Sequence, residues 1–141
     1  MNIIVVDDDD GCSQLLRDLL VQEPDCNTVF TSNGAEAWWM LSDPERHFDL
    51  GIFDIKMPIV DGISLLKRIR ETPKLDELRI ILCTGINERK TVHEAAQYIV
   101  QHYIVKPYSS KAMLDKIRQV AESLPLPRQA GMNLMMTSGR T

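Results

Sequence analysis

Aspartate residues follow two apolar stretches of this chain, and their positions suggest carboxylate chemistry. The stretch NIIVVDDDDG runs from β-branched residues into the consecutive aspartates 7–10, and GIFDIKMP carries Asp54 at the end of a second apolar run. Carboxylates that lie close together either shift in pKa or need a cation. Because oxygen-only ligands favour Mg²⁺ over zinc, these residues predict an acidic Mg²⁺ pocket.

Two further polar residues end apolar runs in the second half of the chain. Thr84 ends the run in IILCTG, and Lys106 ends the run in YIVKP. In a sheet of order 2-1-3-4-5, the strand beside Asp54 supplies a short hydroxyl, and the strand ~10 Å away supplies a long, flexible cation. A divalent ion, an ammonium and a hydroxyl around one carboxylate would neutralise the non-bridging oxygens of a phosphoryl group. Asp54 is therefore predicted to be a nucleophile that forms an aspartyl phosphate.

Alternating strands and helices would position these residues. Apolar, β-branched runs predict strands over 2–6, 27–31, 49–53, 79–83 and 103–105. Helical spacing predicts helices over 13–22, 34–42, 63–71, 88–100 and 109–124, with Ser109 or Ser110 as the N-cap of the last. The alternation predicts a doubly wound α/β domain, in which ligands bind beyond the carboxyl ends of the strands. If strands one and three are neighbours, the carboxylates at their ends lie ~4.8 Å apart.

Composition limits the classes of function. A chain of 141 residues, 44% hydrophobic and 26% charged, suits one domain with a core. The net charge of −4 argues against direct binding of nucleic acid or anionic lipid, because both are negatively charged. Since there is neither an apolar stretch of ~20 residues nor a secretion signal, we expect a cytoplasmic protein that binds no membrane. Residues 125–141 are expected to form a flexible tail, or the linker stub of a longer protein.

Four motifs together resemble one known family. VVDDD, FDIKMPIVDG, LCTG and YIVKPY, in this order and spacing, are similar to the receiver domain of two-component response regulators, and the resemblance covers residues 1–124. It implies a flavodoxin-like, five-stranded parallel sheet of order 2-1-3-4-5 with helices on both faces. It also implies a signalling switch of a phosphorelay that catalyses only its own phosphorylation and dephosphorylation.

The resemblance assigns roles to individual residues. Asp54 would be the phosphoacceptor, and Asp7, Asp8, Asp54 and the backbone carbonyl of Lys56 would hold Mg²⁺. Thr84 would hydrogen-bond to the phosphoryl group and Lys106 would pair with it, while Thr84 and Tyr103 would form the conformational switch. The Lys106–Pro107 bond matches the family's cis peptide. Asp9 and Asp10 match no ligand role, and an aspartate after a strand is most often a turn residue or a helix cap.

Two departures from the family concern function. Lys56 and Ile86 occupy the positions that tune phosphoryl lifetime, and because an apolar Ile86 cannot orient an attacking water, we expect slow self-dephosphorylation. Receivers commonly have Gly-Ala before the last strand, where this chain has Ile99 and Val100. Without glycine, the end of helix four must close differently.

The expected partners are a histidine kinase or histidine phosphotransfer protein as donor, and a downstream effector protein or a missing output domain as reader. The alternative is a pseudo-receiver, an interaction module that works without phosphorylation. The complete set of Asp54, Thr84 and Lys106 favours the switch. A haloacid dehalogenase-type phosphatase would need a second aspartate two residues after the nucleophile, where this chain has Lys56.

Overall fold

Five parallel strands form one sheet with helices on both faces. The computed structural model of the chain describes residues 1–56, 61–85 and 87–123. The strands are β1 (Asn2–Val6), β2 (Asn27–Thr31), β3 (Leu50–Asp54), β4 (Arg79–Thr84) and β5 (His102–Val105). The helices are α1 (Asp10–Leu20), α2 (Gly34–Leu41), α3 (Gly62–Arg70), α4 (Arg89–Ala95) and α5 (Ser110–Ser123), with a short 3₁₀ turn at Pro73–Leu75. The order β2-β1-β3-β4-β5 confirms the expected doubly wound, flavodoxin-like fold.

The central strands are apolar on both faces because helices cover each side of the sheet. Alternate residues of β1 point to opposite faces, so Ile3 and Val5 pack against α1 and α5, while Ile4 and Val6 pack against α2, α3 and α4. All four side chains are buried. The edge strands β2 and β5 are only partly buried. The fold therefore has two apolar layers, one on each face of the sheet.

The register of the strands brings the polar residues of the sequence to one edge. Val6 lies opposite Phe53, so Asp7 and Asp54 follow at the same level of neighbouring strands. Farther along the sheet, Thr84 is opposite Val105, and Lys106 is the next residue. Because all strands run in the same direction, their carboxyl ends meet at this edge, where a doubly wound sheet binds its ligands.

Helix α1 begins three residues earlier than the predicted start at residue 13. Asp9 is its N-cap, because the carboxylate accepts hydrogen bonds from the backbone N–H groups of Gly11 and Cys12 at 2.8 and 3.2 Å. Asp10 lies in the first turn of the helix, where its negative charge interacts favourably with the helix dipole. Both residues have the capping and turn roles that are common for aspartate after a strand. At the other end of the chain, Ser109 caps α5 by accepting a hydrogen bond from the N–H of Ala112 at 3.0 Å.

Helix α4 is shorter than predicted, because it ends at Ala95 and not at residue 100. Tyr98 and Val100 pack against the core, which explains their apolar character without requiring a helix. The carbonyl oxygen of Ile99 accepts hydrogen bonds from Nε and Nη2 of Arg70 at 3.0 and 2.6 Å. The guanidinium group of Arg70 on α3 thus holds the segment before β5. This contact explains how the chain after α4 closes without the glycine that receivers commonly have there.

Three sequence predictions fall on residues outside those that the structure describes. They are the lifetime-tuning position Ile86, the end of the last helix at Leu124, and the tail or linker over 125–141. Within the described ranges, no helix has both the length and the apolar character needed to span a membrane.

Candidate functional site

Three carboxylates converge at the carboxyl edge of the sheet. Oxygen atoms of Asp7, Asp8 and Asp54 all lie within 4.8 Å of one another. Asp7 is 4% and Asp54 7% exposed, whereas Asp8 faces solvent. Buried like charges repel strongly, so this cluster needs positive charge to be stable in its ionised form. The structure thus brings together the three aspartates that the sequence singled out.

Backbone contacts on both sides fix the position of Asp7. Its N–H donates to the carbonyl oxygen of Thr31 at 3.1 Å, which extends the ladder between β1 and β2 by one residue. The Thr31 hydroxyl in turn donates to the carbonyl oxygen of Val5 at 2.9 Å. The N–H of Asp9 donates to Asp7 Oδ1 at 2.9 Å, which orients the carboxylate. Asp9 therefore supports the site through its backbone while its side chain caps α1.

Asp54 is the last residue of β3, one position later than the predicted end of this strand. The next residue, Ile55, donates its N–H to the carbonyl oxygen of Cys83 at 3.0 Å. Lys56 is exposed, and its N–H lies 3.4 Å from Asp54 Oδ1. Gly62 packs directly against this strand end, because a Cβ atom there would lie 2.5 Å from the Asp54 carbonyl oxygen. The Asp61-Gly62 pair of the sequence therefore starts α3 and also lets this helix approach the end of β3 at Asp54.

Lys106 reaches across the end of β4 into the acidic cluster. Its Nζ lies 2.8 Å from Asp7 Oδ2 and 3.2 Å from Asp54 Oδ2. The side chain is 18% exposed, so the pairs are shielded from solvent. The contact with Asp54 agrees with the predicted long, flexible cation. The shorter contact with Asp7 was not expected from the sequence, because spacing along the chain does not show how far Lys106 extends across the sheet.

Burial and charge set the ionisation of the site. Burial, followed by the negative charge of Asp7, raises the pKa of Asp54 to about 6, although Lys106 acts in the opposite direction. For Lys106, burial lowers the pKa, but the hydrogen bond to Asp7 and the charges of Asp7 and Asp54 outweigh it and raise the pKa above its usual value. Three carboxylates thus face one ammonium group, and the pocket retains an excess of negative charge.

Thr84 and Tyr103 lie on the side of the site that faces α4. Thr84 is buried at the end of β4, and its carbonyl oxygen accepts a hydrogen bond from the N–H of Lys106 at 2.6 Å. Tyr103, on β5, is partly buried and packs against the core. With Val92 and Ala96 it lines an open groove of about 700 Å³ along α4. Thr84 therefore lies at the carboxyl edge of the sheet with the acidic cluster, whereas Tyr103 lies beside the groove.

Glu88 is a residue near the site that sequence reasoning missed. Its Oε1 accepts a hydrogen bond from the N–H of Gly85 at 2.6 Å, which holds the turn that follows Thr84. Its Oε2 is buried and has no hydrogen-bond partner among the described residues. The spacing of three residues between an N–H donor and a glutamate is a usual capping pattern, and this could have indicated the contact.

The donor set suits a hard divalent cation. Asp7, Asp8 and Asp54 offer only carboxylate oxygens, which Mg²⁺ prefers over the nitrogen and sulfur ligands of zinc. The excess of negative charge also favours a cation of charge two. The backbone carbonyl of Lys56 follows Asp54 closely in the chain, but the structure does not test its predicted role as a ligand.

Comparisons with known proteins agree with the fold. Residues 3–118 match the family model of the response regulator receiver domain. The chain is 34% identical to chemotaxis protein CheY-3 of Vibrio cholerae over 124 residues, which cover 88% of this chain and 94% of that protein. It is 32% identical to chemotaxis protein CheY of Pseudomonas aeruginosa over 122 residues, which cover 86% of this chain and 97% of that protein.

A solved structure shows the same architecture. The signal receiver domain of an HD domain-containing protein from Pseudomonas fluorescens superposes with a TM-score of 0.77 at 29% identity. The match covers 86% of this chain and 94% of that one.

Proposed function

Because the chain belongs to the family of response regulator receiver domains, we propose that it is a phosphorylation-activated switch of a two-component phosphorelay, with Asp54 as the phosphoacceptor. The observation that carries this proposal is the convergence of Asp7, Asp8, Asp54 and Lys106 at the carboxyl edge of the sheet. A structural role alone does not explain why three carboxylates, two of them buried, share one small volume.

In the proposed reaction, a carboxylate oxygen of Asp54 attacks the phosphorus atom of the donor. A bond forms between this oxygen and phosphorus, and the bond from phosphorus to the donor's leaving group breaks with its electron pair. The leaving group is an imidazole nitrogen when the donor is a phosphohistidine. Because Asp54 is buried at the end of β3 and held by its neighbours, the nucleophile is already in position when the donor arrives.

The pocket can hold Mg²⁺ through Asp7, Asp8 and Asp54, with the carbonyl of Lys56 as a further ligand. Bound Mg²⁺ would supply positive charge for the non-bridging oxygens of the phosphoryl group. Lys106 lies close enough to Asp54 to pair with the same group. Self-phosphorylation and self-dephosphorylation are the only reactions that this proposal assigns to the chain.

Activation would be a change in the population of two conformations. The Thr84 hydroxyl would move towards the phosphoryl group, and the ring of Tyr103 would follow into the space that it leaves. The position of Tyr103 beside the groove along α4 supports its role in the switch, because a rotation of its ring changes a surface that a partner can contact. The reader would be a downstream effector protein or an output domain.

The proposed donor is a histidine kinase or histidine phosphotransfer protein in the cytoplasm. Slow loss of the phosphoryl group remains part of the proposal, since the apolar side chain of Ile86 cannot orient an attacking water. The half-life of the phosphorylated protein tests this point: we expect Ile86→Glu to shorten it, and an unchanged half-life would contradict the role of Ile86.

Intact mass after incubation with acetyl phosphate tests the proposed function. The wild type should gain one phosphoryl group in the presence of Mg²⁺ and none with chelator. Asp54→Asn should gain none, whereas Asp10→Asn, which removes an exposed acid next to the pocket, should behave as the wild type. If a folded wild-type protein accepts no phosphoryl group from acetyl phosphate, a phosphohistidine protein or another phosphodonor, the alternative of a phosphorylation-independent interaction module replaces the switch.

A further inference from the structure

Glu88 fixes the peptide group that follows Thr84. The carbonyl oxygen of Thr84 accepts a hydrogen bond from the N–H of Lys106 at 2.6 Å, and the N–H of Gly85 donates to Glu88 Oε1, also at 2.6 Å. Because a peptide group is planar, these two bonds hold one rigid unit from opposite sides. The backbone at the end of β4 therefore depends on a side chain that lies at the start of α4.

Gly85 leaves the space that this contact needs. A Cβ atom on Gly85 would lie 2.7 Å from Glu88 Oε1, too close for both atoms to stay in place. The backbone N–H of Glu88 donates in turn to the carbonyl oxygen of Gly85 at 3.2 Å. The two residues are thus joined in both directions, and a glycine at this position lets the carboxylate come close.

The position of the Glu88 carboxylate carries a cost as well as a bond. Glu88 directly precedes α4, yet its side chain accepts no hydrogen bond from the first turn of that helix within the described ranges. Its second oxygen, Oε2, is buried without a hydrogen-bond partner among the residues that the structure describes. A buried carboxylate oxygen that lacks a partner is unfavourable. The bond to Gly85 is thus partly offset, and the carboxylate is able to leave when Gly85 moves.

Thr84 and Tyr103 share one face of the sheet. Leu82 lies opposite Tyr103, and Thr84 is two residues farther along β4, so its side chain points to the same face. Because a β-branched side chain is restricted at χ1, a movement of Thr84 towards a phosphoryl group involves its backbone and the peptide that follows. Such a movement breaks the bond between Gly85 and Glu88.

We propose that Glu88 is a positioning residue that holds Thr84 in its resting conformation and thereby opposes activation. It acts through the N–H of Gly85 and not on the reacting atoms. The switched conformation is reached only after this bond is broken, so Glu88 sets how little of the unphosphorylated protein is already switched. This inference rests on the proposed function, because it uses the movement of Thr84 and Tyr103.

The ring resonances of Tyr103 in the unphosphorylated protein test this role by nuclear magnetic resonance. Glu88→Ala removes the acceptor, so the equilibrium should shift about tenfold towards the switched conformation, and the resonances should move towards their positions in the phosphorylated wild type. Glu88→Gln keeps a side-chain oxygen as acceptor and should retain the wild-type positions. Glu94→Ala is the matched control, because it removes an exposed carboxylate from α4 and should leave the resonances unchanged. Unchanged resonances in Glu88→Ala, or an equal shift in Glu94→Ala, would overturn the inference.

Gly85→Ala tests the same contact from its other side and covers the case in which Glu88→Ala does not fold. The added Cβ would displace the Glu88 carboxylate, so the Tyr103 resonances should move in the same direction. Wild-type resonances in a folded Gly85→Ala protein would overturn the inference. Where both single variants fold, the double variant should shift no further than the larger single one, because both substitutions remove one contact. Additive shifts would contradict the role of this contact.

The two proposals fail in different ways. If phosphorylation moves the Tyr103 resonances of the wild type, but Glu88→Ala leaves them in place without a phosphoryl group, the role of Glu88 is wrong and the switch stands. If a folded wild type accepts no phosphoryl group, or accepts one without a change at Tyr103, the proposed switch fails and this inference fails with it.

Discussion

The guanidinium group of Arg70 donates two hydrogen bonds to the carbonyl oxygen of Ile99, from Nε at 3.0 Å and Nη2 at 2.6 Å. Nη2 also donates to the carbonyl oxygen of Leu78 at 3.0 Å. One side chain at the end of α3 thus holds the segment between α4 and β5 against the start of β4. Strand β5 follows this segment, so Arg70 supports the approach of the chain to β5.

Arg70→Met should therefore lower the free energy of unfolding by about 1–3 kcal/mol, because hydrogen bonds from a charged donor are lost. Hydrogen exchange should become faster around Ile99. Arg46→Met is the control: among the described residues, the Arg46 side chain pairs only with Asp43, at 3.5 Å on the exposed surface, and its loss should cost ~0–1 kcal/mol. Equal effects of the two substitutions would show that Arg70 is not a specific support.

The predictable part of the fold follows from short runs rich in apolar and β-branched residues. Residues 2–6 and 27–31 were predicted as strands and are β1 and β2. For β3 and β4 the strand includes the polar residue, Asp54 or Thr84, that was expected to follow it. Ladder hydrogen bonds, such as that from Ile55 to Cys83, continue to the polar end of a strand, and hydrophobicity cannot show this.

Helix α4 was predicted to be too long because the apolar residues of this region are buried in two different ways. Val92 packs as part of the helix, whereas Tyr98 and Val100 pack against the same core from a turn and the segment after it. Helical spacing cannot separate these cases. The Arg70 contact, which ends 29 residues away, depends on tertiary structure and gives no local signal.

The sequence predicted which aspartates come together in the candidate site, but it did not predict which of them pairs most closely with Lys106. Asp7, Asp8 and Asp54 lie together as expected. The contact of Lys106 with Asp7 joins residues on strands that are not neighbours, and it depends on side-chain reach. Side-chain extension of this kind cannot be obtained from the order of residues.

Gly62 has no space for a side chain. A Cβ atom would lie 2.5 Å from the Asp54 carbonyl oxygen and 2.9 Å from the Ile55 Cα, and backbone atoms cannot move aside cheaply. We expect Gly62→Ala to destabilise the protein by about 1–3 kcal/mol and to slow phosphorylation, as measured by urea unfolding and by the rate of mass gain. Gly11→Ala is the control, because its Cβ would meet only the Asp9 side chain at 3.2 Å, and its stability should stay close to that of the wild type. Wild-type stability in Gly62→Ala would contradict the close packing.

The raised pKa of Asp54 predicts how stability depends on pH without metal. Its pKa is about 6 in the folded protein, above the ordinary value near 3.9. The unfolded chain therefore ionises first at this position, and the contribution of Asp54 to stability is lost as the pH rises from about 4 to about 6. Asp54→Asn escapes this loss, so it should be more stable than the wild type above pH ~6 by about 1–3 kcal/mol, with a smaller difference near pH 4.

Urea unfolding with chelator at two pH values checks this sign. A difference between wild type and Asp54→Asn that does not change with pH would show that Asp54 ionises normally. Added Mg²⁺ should stabilise the wild type more than the variant, because the variant lacks one ligand carboxylate.

Thr84 should matter more for the switch than for acceptance of the phosphoryl group. Thr84→Ala should still be phosphorylated, about tenfold to a hundredfold more slowly because one hydrogen-bond donor is lost. The ring resonances of Tyr103 should then no longer change on phosphorylation, as followed by nuclear magnetic resonance. Thr84→Ser keeps the hydroxyl and should keep both properties. If the ring resonances of Tyr103 in Thr84→Ala change on phosphorylation as they do in the wild type, the movement of Tyr103 does not depend on Thr84.

Chemical trapping of the phosphorylated residue tests the central claim most directly. Borohydride reduces an acyl phosphate on aspartate to homoserine, and peptide sequencing by mass spectrometry then identifies the position. After treatment of the wild type with acetyl phosphate and Mg²⁺, homoserine should appear at position 54 and not at Asp7 or Asp8. Homoserine at another aspartate, or none in a protein that has gained a phosphoryl group, would contradict Asp54 as the phosphoacceptor.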